Sequence, residues 1–178
     1  MGSKGLHSFT DNIEKTHNWV LICYGNILRS QVLEQYLNYY SKQKNLKIKF
    51  DSFGIAGWDE FPDTANLLEE VFQELRKRDI PCSLERNAWS EEAKKKIKSA
   101  DIILFADNNI KSTVFERMNH QINKENSYTF YEIITEGEKD FEDTYDYENN
   151  RQDPVRFRNA FNELDRIAQK ILKKHIAL

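Results

Sequence analysis

The chain has 178 residues, of which 39% are apolar and 31% charged, and its formal net charge is −3 at pH 7. This length suits one domain with a single large core, and the composition is typical of a soluble globular protein. The small negative charge does not favour nucleic acid or an anionic membrane as a partner. No apolar run approaches the roughly 20 residues that span a bilayer, so no membrane segment is expected.

The two cysteines, Cys23 and Cys82, lie far apart in the sequence and form neither a disulfide framework nor a metal-ligand pattern. A free thiol is kept reduced in the cytoplasm, which is the expected location. We interpret Cys82 as structural, and the sequence predicts no metal and no cofactor. Because the polar N-terminus lacks the apolar core of a secretory signal, we predict a flexible lead over residues 1–17 and one domain over residues 18–178.

Strands and helices alternate along the chain, as judged from short apolar runs and from apolar residues spaced three and four positions apart. In chain order we predict a strand over 18–23, a helix from Arg29, a strand over 47–53, helices over 63–78 and 90–98, strands over 102–106 and 128–133 with a moderately helical stretch over 113–123 between them, and a helix over 155–174. This order indicates βαβ units. The predicted fold is α/β, a single-domain three-layer α/β/α sandwich with a central four-stranded parallel sheet.

Residues 135–152 show no apolar periodicity and are rich in Asp, Glu, Asn and Tyr. Connections of this length in a compact domain are either functional or disordered. We treat this acidic segment as a candidate active-site loop, and simple disorder is the alternative.

The segment Cys23-Tyr-Gly-Asn-Ile-Leu-Arg-Ser30 leaves the first strand and opens a helix. Such a loop directs backbone N–H groups and the helix dipole at one point, where a phosphate or another oxyanion can bind. Gly25 permits the backbone angles of the turn, Asn26 tolerates the left-handed region, and Arg29 presents a planar fork to two phosphate oxygens. The predicted phosphate-binding residues are Tyr24, Gly25, Asn26, Ile27, Leu28, Arg29 and Ser30.

A thiol in the field of such a loop has its pKa lowered from about 8.5 to roughly 3.5–7.5. Cys23 would then be a thiolate nucleophile, and Ser30 can donate its hydroxyl to the sulfur and help it to leave. The pattern predicts two-step phosphoryl transfer through a phosphocysteine, with Arg29 and backbone dipoles in place of a metal. A cysteine that ends an apolar strand is usually only a small buried residue. The neighbouring Gly, Asn, Arg and Ser favour the catalytic interpretation.

With these residues the sequence resembles low-molecular-weight protein tyrosine phosphatases, whose signature loop reads Cys-x-Gly-Asn-x-Cys-Arg-Ser. The resemblance extends from about Trp19 to about Lys174. It implies a cysteine-dependent phosphatase that acts on phosphotyrosine in proteins and on small aryl phosphates. Ser52-Phe-Gly54 resembles the family's Ser-x-Gly segment, so that Ser52 joins Ser30 in supporting the loop.

The resemblance also implies a general acid. Asp153-Pro154 resembles the Asp-Pro that carries this acid, which would protonate the leaving phenolate and then activate water, worth about 10²–10⁴ in rate. From the residues alone, an Asp before Pro indicates a turn ahead of a helix. Asp143 and Asp146 in the acidic segment are the alternatives.

Two departures from the family pattern concern the loop. Leu28 stands where many members have a second loop cysteine, so reversible disulfide protection is expected to be absent. Glu85 stands where the family often has a His that braces the loop Asn through a Ser, so we expect Asn26 to be braced differently.

Substrate preference is predicted from the residues around the pocket. Ile27 resembles the apolar residue of tyrosine phosphatases, whereas members that act on phosphoarginine tend to carry Thr, so phosphotyrosine is favoured. The resemblance implies that Trp58 forms an aromatic pocket wall. Val155-Arg156 stands where members have tyrosines that flank the entrance, and Tyr145 and Tyr147 are candidate substitutes.

Several other functions share features of this sequence. A non-catalytic phosphoprotein-binding module of the same fold, and a phosphoarginine phosphatase, remain as alternatives. An arsenate reductase is disfavoured, because members of this fold with that activity need additional cysteines and only Cys82 remains here. A phosphocysteine protein of sugar transport is disfavoured because that role does not require an Arg and a Ser at positions 29 and 30. No dinucleotide or Walker-type glycine pattern is present.

Overall fold

The computed structural model describes residues 16–57, 63–81, 90–118, 121–137 and 139–176. The predictions for residues 1–15, Trp58, Cys82 and Glu85 lie outside this part of the chain. Within it the elements follow the predicted order, with two short strands, β5 and β6, that were not predicted. The elements are β1 (Asn18–Cys23), α1 (Arg29–Gln43), β2 (Lys49–Gly54), α2 (Thr64–Lys77), α3 (Glu91–Ser99), β3 (Ile102–Phe105), α4 (Asn108–Arg117), β4 (Ser127–Thr129), β5 (Tyr145–Asp146), β6 (Arg151–Gln152) and α5 (Pro154–Ile176).

The central sheet consists of four parallel strands in the order β2-β1-β3-β4. Every residue of β1 from Trp19 to Cys23 is buried. Because successive side chains of a strand point to opposite faces, this run requires cover on both faces of the sheet. Helix α1 packs against β1, β2 and α5, whereas α3 packs against β1 and α4 against β3. The predicted α/β/α sandwich is confirmed.

The fourth strand is shorter than predicted: β4 ends at Thr129 and not at Ile133. The chain turns there: the N–H of Ile133 donates to the Thr129 carbonyl, and the Glu132 carboxylate accepts from the Thr129 N–H. The apolar residues that suggested a longer strand are buried in this turn, namely Phe130, Tyr131 and Ile133.

Helix α4 begins earlier than predicted. Its N-cap is Asp107, whose Oδ1 accepts from the N–H of Ile110 at 2.8 Å, so the helix spans Asn108–Arg117 and not 113–123. The N-cap of α3 is Ser90, whose hydroxyl accepts from the N–H of Ala93 at 3.2 Å. None of the helices in the described ranges combines the length and apolar character that a membrane span requires.

Strand β2 ends directly beside the loop that follows Cys23. Gly54 is the register partner of Cys23, and the N–H of Ile55 donates to the Cys23 carbonyl at 3.1 Å. A Cβ at Gly54 would lie 2.8 Å from both the Gly25 carbonyl carbon and the Tyr24 carbonyl oxygen. Glycine is therefore required here for the strand to support the loop backbone.

Helix α5 is tied to the segment after β4 by ion pairs. Arg166 donates to both carboxylate oxygens of Glu136 at 2.6 and 2.7 Å, and Lys170 contacts the same carboxylate. The hydrogen bonds from Arg166 and then Lys170 lower the pKa of Glu136 to about 2. The carboxylate is therefore bound more strongly when ionised than when protonated.

Gly54→Ala is expected to destabilise the protein by about 1–3 kcal/mol, because the atoms it would strike belong to the backbone and cannot rotate away. Urea unfolding measures the loss, and amide hydrogen exchange should become faster in residues 24–27. Gly137→Ala is the control: Gly137 has φ +86° and no atom within 4 Å of its added Cβ. The positive φ should make Gly137→Ala lose about 1–2 kcal/mol in the free energy of unfolding, without a change in hydrogen exchange of the Cys23 loop. Unchanged loop exchange in Gly54→Ala would contradict this role.

Glu136→Gln is expected to lower the free energy of unfolding at pH 7 by about 1 kcal/mol, the upper range for an exposed ion pair. Because the folded pKa is depressed from the usual 4.5, this contribution is present above 4.5 and is lost as the pH falls towards 2. Urea unfolding at several pH values in this window measures it. Glu69→Gln, which breaks an exposed pair with Arg76 inside α2, is the control. A loss that does not change with pH would contradict the assignment.

Candidate active site

The loop between β1 and α1 carries the predicted nucleophile. Cys23 is the last residue of β1 and is 2% exposed, and Arg29 is the first residue of α1. Asn26 is fully buried with φ 49°, so it occupies the left-handed region as the sequence predicts. The bend at Asn26 brings the strand end and the helix start together within six residues.

A chain of buried hydrogen bonds lies behind the thiol. The hydroxyl of Ser30 donates to the Cys23 sulfur at 2.9 Å. The Asn26 amide donates to Ser30 at 2.9 Å and to Ser52 at 2.7 Å, which places both predicted support residues on Asn26. Ser52 in turn donates to Glu34 Oε2 at 2.5 Å. Glu34 could not be identified from the sequence, since nothing in its local pattern distinguishes it from an ordinary helix residue.

Arg29 is buried and held by acceptors on two sides. Its Nη1 lies 2.9 Å from Asp107 Oδ2 and 3.3 Å from the Phe141 carbonyl, and its Nη2 lies 3.0 Å from Asp143 Oδ2. Burial lowers its pKa, but Asp143, Cys23 and Asp107 together outweigh burial and raise it. The guanidinium is thus a permanent, oriented cation beside the sulfur.

A small cavity lies at the loop. Its walls come from the Cys23 loop and from the acidic segment 135–152, with the following residues: Cys23, Tyr24, Gly25, Ile27, Leu28, Arg29, Asp143, Thr144, Tyr145, Tyr147 and Gln152. Of the predicted phosphate-binding residues, Asn26 and Ser30 are instead fully buried, within the hydrogen-bond chain. The cavity thus holds a thiol and a guanidinium, the two groups that phosphoryl transfer to cysteine requires.

The acidic segment contributes two tyrosines, Tyr145 and Tyr147, to the cavity wall. Within it β5 and β6 form an antiparallel pair, Tyr145 with Gln152 and Asp146 with Arg151. The rings of Tyr145 and Tyr147 meet edge to face at 4.8 Å. The two tyrosines predicted as substitutes at the entrance are therefore at the cavity, whereas Val155 and Arg156 are not among its lining residues.

The structure separates the candidate acids. Asp153 is the N-cap of α5, where its Oδ1 accepts from the N–H of Val155 and Arg156, both at 2.9 Å, and it is not among the residues that line the cavity. The hydrogen bond from the Arg156 N–H, followed by the one from Val155, lowers the pKa of Asp153. Asp146 accepts from the N–H of Glu148 in its own turn.

Asp143 is the candidate acid that lies at the site. It lines the cavity, pairs with Arg29, and accepts a hydrogen bond from the Tyr147 hydroxyl at 3.2 Å. The signal that could have identified it is the pair of tyrosines two and four positions later, since family members carry tyrosines shortly after the acid. The resemblance implies Asp153 instead, because it precedes Pro154 as the acid precedes a proline in the family.

The fold is shared with solved phosphatases along nearly the whole chain. The YwlE arginine phosphatase from Geobacillus stearothermophilus is 18% identical, with a TM-score of 0.70 over 90% of this chain and 94% of that one. The low molecular weight protein tyrosine phosphatase from T. tengcongensis is 22% identical, with a TM-score of 0.70 over 89% and 99%. Wzb from Vibrio vulnificus, in complex with benzylphosphonate, is 20% identical, with a TM-score of 0.65 over 89% and 99%.

At these identities the structural likeness shows the fold alone, and no curated protein sequence matches the chain. The sequence model of one family does match, over residues 18–177, and its description is low molecular weight phosphotyrosine protein phosphatase. That match spans the whole sheet, all the described helices, and both the loop and the acidic segment that form the cavity. The chain therefore belongs to the low molecular weight phosphotyrosine protein phosphatase family.

Proposed function

We propose that this chain hydrolyses phosphotyrosine in proteins, and small aryl phosphates, through a phosphocysteine on Cys23. Family membership supports a cysteine-dependent phosphatase. The observation that carries the proposal is the single cavity that brings together the Cys23 thiol, the Arg29 guanidinium and the Asp143 carboxylate. A reactive free thiol also agrees with a reducing location such as the cytoplasm.

In the first step the Cys23 thiolate attacks phosphorus, and the bond from phosphorus to the tyrosine oxygen breaks. Arg29 holds phosphate oxygens and balances their charge as the transition state develops. The leaving phenolate takes a proton from Asp143, which becomes a carboxylate. The products of this step are a phosphocysteine and the free tyrosine side chain.

In the second step the Asp143 carboxylate takes a proton from water while the water oxygen attacks phosphorus. The bond between phosphorus and sulfur breaks, and inorganic phosphate is released. The departing thiolate is stabilised by the Ser30 hydroxyl, which lies 2.9 Å from the sulfur. Cys23 and Asp143 return to their starting protonation states.

Asp143 is preferred over Asp153 as the general acid for two reasons. It lines the cavity and pairs with Arg29, whereas Asp153 caps α5. Asp143 is also followed by Tyr145 and Tyr147, which line the cavity, as tyrosines follow the acid in the family.

Asp143→Asn is expected to lower kcat by about 10²–10⁴ on phenyl phosphate and by less on para-nitrophenyl phosphate, whose leaving group needs less help from a proton. Asp153→Asn should change kcat less than about twofold and retain stability, because Asn caps helices as well as Asp does. Cys23→Ser should abolish turnover. Steady-state kinetics on both esters measures these effects.

The same experiment separates the alternatives. A large loss in Asp153→Asn, with little in Asp143→Asn, would restore Asp153 as the acid. A wild-type chain that binds inorganic phosphate but turns over neither ester would be the non-catalytic binding module. Either result would leave the family assignment intact, since that assignment does not depend on turnover.

The residues around the cavity support phosphotyrosine as the substrate. Ile27 offers an apolar side chain, and Tyr145 and Tyr147 add aromatic rings that can pack on a phenyl group. A wider groove of about 790 Å³ shares Tyr24, Arg29, Asp143 and Tyr147 with the cavity and gives room for a peptide. Benzylphosphonate, bound by the Vibrio vulnificus neighbour, has the aryl group that this arrangement suits. The second candidate substrate is phosphoarginine, because a structural neighbour is an arginine phosphatase.

The wild-type chain is expected to hydrolyse a phosphotyrosine peptide with a kcat/KM at least about tenfold above that for the matching phosphoarginine peptide. Ile27→Thr should reduce this preference by about tenfold, the effect of one added hydrogen bond. Ile27→Val is the control, because Val has the shape of Thr without its hydroxyl. A wild-type preference for phosphoarginine would overturn the substrate assignment while leaving the cysteine mechanism standing.

A further inference from the structure

Four hydrogen bonds connect Glu34 on α1 to the sulfur of Cys23. They join Glu34 to Ser52 at 2.5 Å, Ser52 to Asn26 at 2.7 Å, Asn26 to Ser30 at 2.9 Å and Ser30 to Cys23 at 2.9 Å. The three intermediate residues are each 0% exposed. Bulk water therefore does not compete for these bonds, and the donors and acceptors within the chain must satisfy one another.

The number of protons fixes the direction of this chain. A hydroxyl has one proton, so when Ser52 donates it to Glu34, the Ser52 oxygen can only accept from the Asn26 amide. The same amide nitrogen has a second proton, which it donates to Ser30. The one proton of Ser30 is then left for the Cys23 sulfur. Two bonds thus run from the Asn26 amide towards Glu34 and two run from it towards the sulfur, so the Ser30 proton is aimed at the sulfur.

A competing arrangement is available to the Asn26 amide. Among the described residues, its Oδ1 has no hydrogen-bond partner although it is buried. Turning the amide over would place this oxygen towards Ser52 and Ser30, and both hydroxyls could donate to it. The Ser30 proton would then leave the Cys23 sulfur. An acceptor at Glu34 opposes this arrangement, because it takes the proton that Ser52 would otherwise give to Asn26.

We propose that Glu34 is a positioning residue whose carboxylate sets the direction of the chain Ser52–Asn26–Ser30, so that a hydroxyl proton always faces the Cys23 sulfur. The inference rests on the proposed role of Cys23 as nucleophile. Glu34 acts through Ser52 and does not line the cavity. It braces the loop Asn through Ser52, a role that a His often has in the family.

The direction of the chain affects the reactivity of the Cys23 sulfur and not the binding of phosphate. A hydrogen bond from Ser30 favours the thiolate of the free protein and stabilises the sulfur as it leaves phosphocysteine. Arg29 makes its own contacts with Asp107 and Asp143 and does not depend on Glu34. Loss of the Glu34 acceptor should therefore lower kcat and leave the affinity for inorganic phosphate nearly unchanged.

The direct test follows the alkylation of Cys23 by iodoacetamide against pH, with the Cys23 peptide quantified by mass spectrometry so that Cys82 does not contribute. Glu34→Met, which keeps a long side chain without a strong acceptor, should raise the midpoint of the profile by about one pH unit and lower kcat about tenfold. Glu34→Gln, whose amide oxygen can still accept from Ser52, should recover most of both. Glu69→Gln removes an exposed carboxylate on α2 and should change neither.

The double variant Glu34→Met with Ser52→Ala shows whether Glu34 acts through Ser52. Its midpoint should equal that of Ser52→Ala alone, because the chain is already broken there. Additive shifts, a Gln variant as defective as the Met variant, or a Met variant with the wild-type midpoint would each overturn the proposal. Alkylation needs no turnover, so the result stands even if the chain hydrolyses no ester. Ser52→Ala provides the same readout if Glu34→Met does not fold, as judged by urea unfolding.

Discussion

The buried guanidinium of Arg29 is the constraint on which the rest of the site depends. A cation that is almost excluded from water is tolerated only where acceptors surround it, since the loss of hydration costs several kcal/mol. Here those acceptors come from three places: Asp107 at the end of β3, the Phe141 carbonyl, and Asp143 in the acidic segment. The acceptors that one side chain requires thus bring the residues that follow β3, an inner strand, and a long connection together at the Cys23 loop.

The acidic segment has no apolar periodicity, but it is anchored beside Arg29 by Phe141. Phe141 is buried and its ring meets those of Phe130 and Tyr131, which anchors the segment just before Asp143. Its N–H donates to the Ala106 carbonyl, next to Asp107. One aromatic side chain and one backbone hydrogen bond, both to residues distant in the chain, therefore hold Asp143 against the arginine.

The elements that could be predicted from the sequence are those that depend on local contacts. The apolar run of β1 and the spacing of α1, α2 and α5 depend on neighbours in the chain, and their positions agree with the prediction to within a few residues. The end of β4 and the start of α4 depend on single side chains, Glu132 and Asp107, that bond to nearby backbone and override periodicity. Asp153-Pro154 has the local appearance of both a catalytic pair and a helix start, and the structure shows it at the start of α5. Glu34 could not be found at all, because Ser52 lies eighteen positions away.

The division of the cavity wall between two kinds of structure has an evolutionary consequence. The thiol, the arginine and the bracing residues are built on β1, β2 and α1, where a Cβ at Gly54 has no room. Tyr145 and Tyr147 of the cavity wall belong instead to the short hairpin of β5 and β6, which has only two residue pairs, and Tyr147 is 55% exposed. Substitutions in the hairpin can therefore accumulate without disturbing the sheet, while the bond-breaking groups stay fixed. Diversification of substrates in such a protein is expected to proceed through the hairpin, with the loop inherited nearly unchanged.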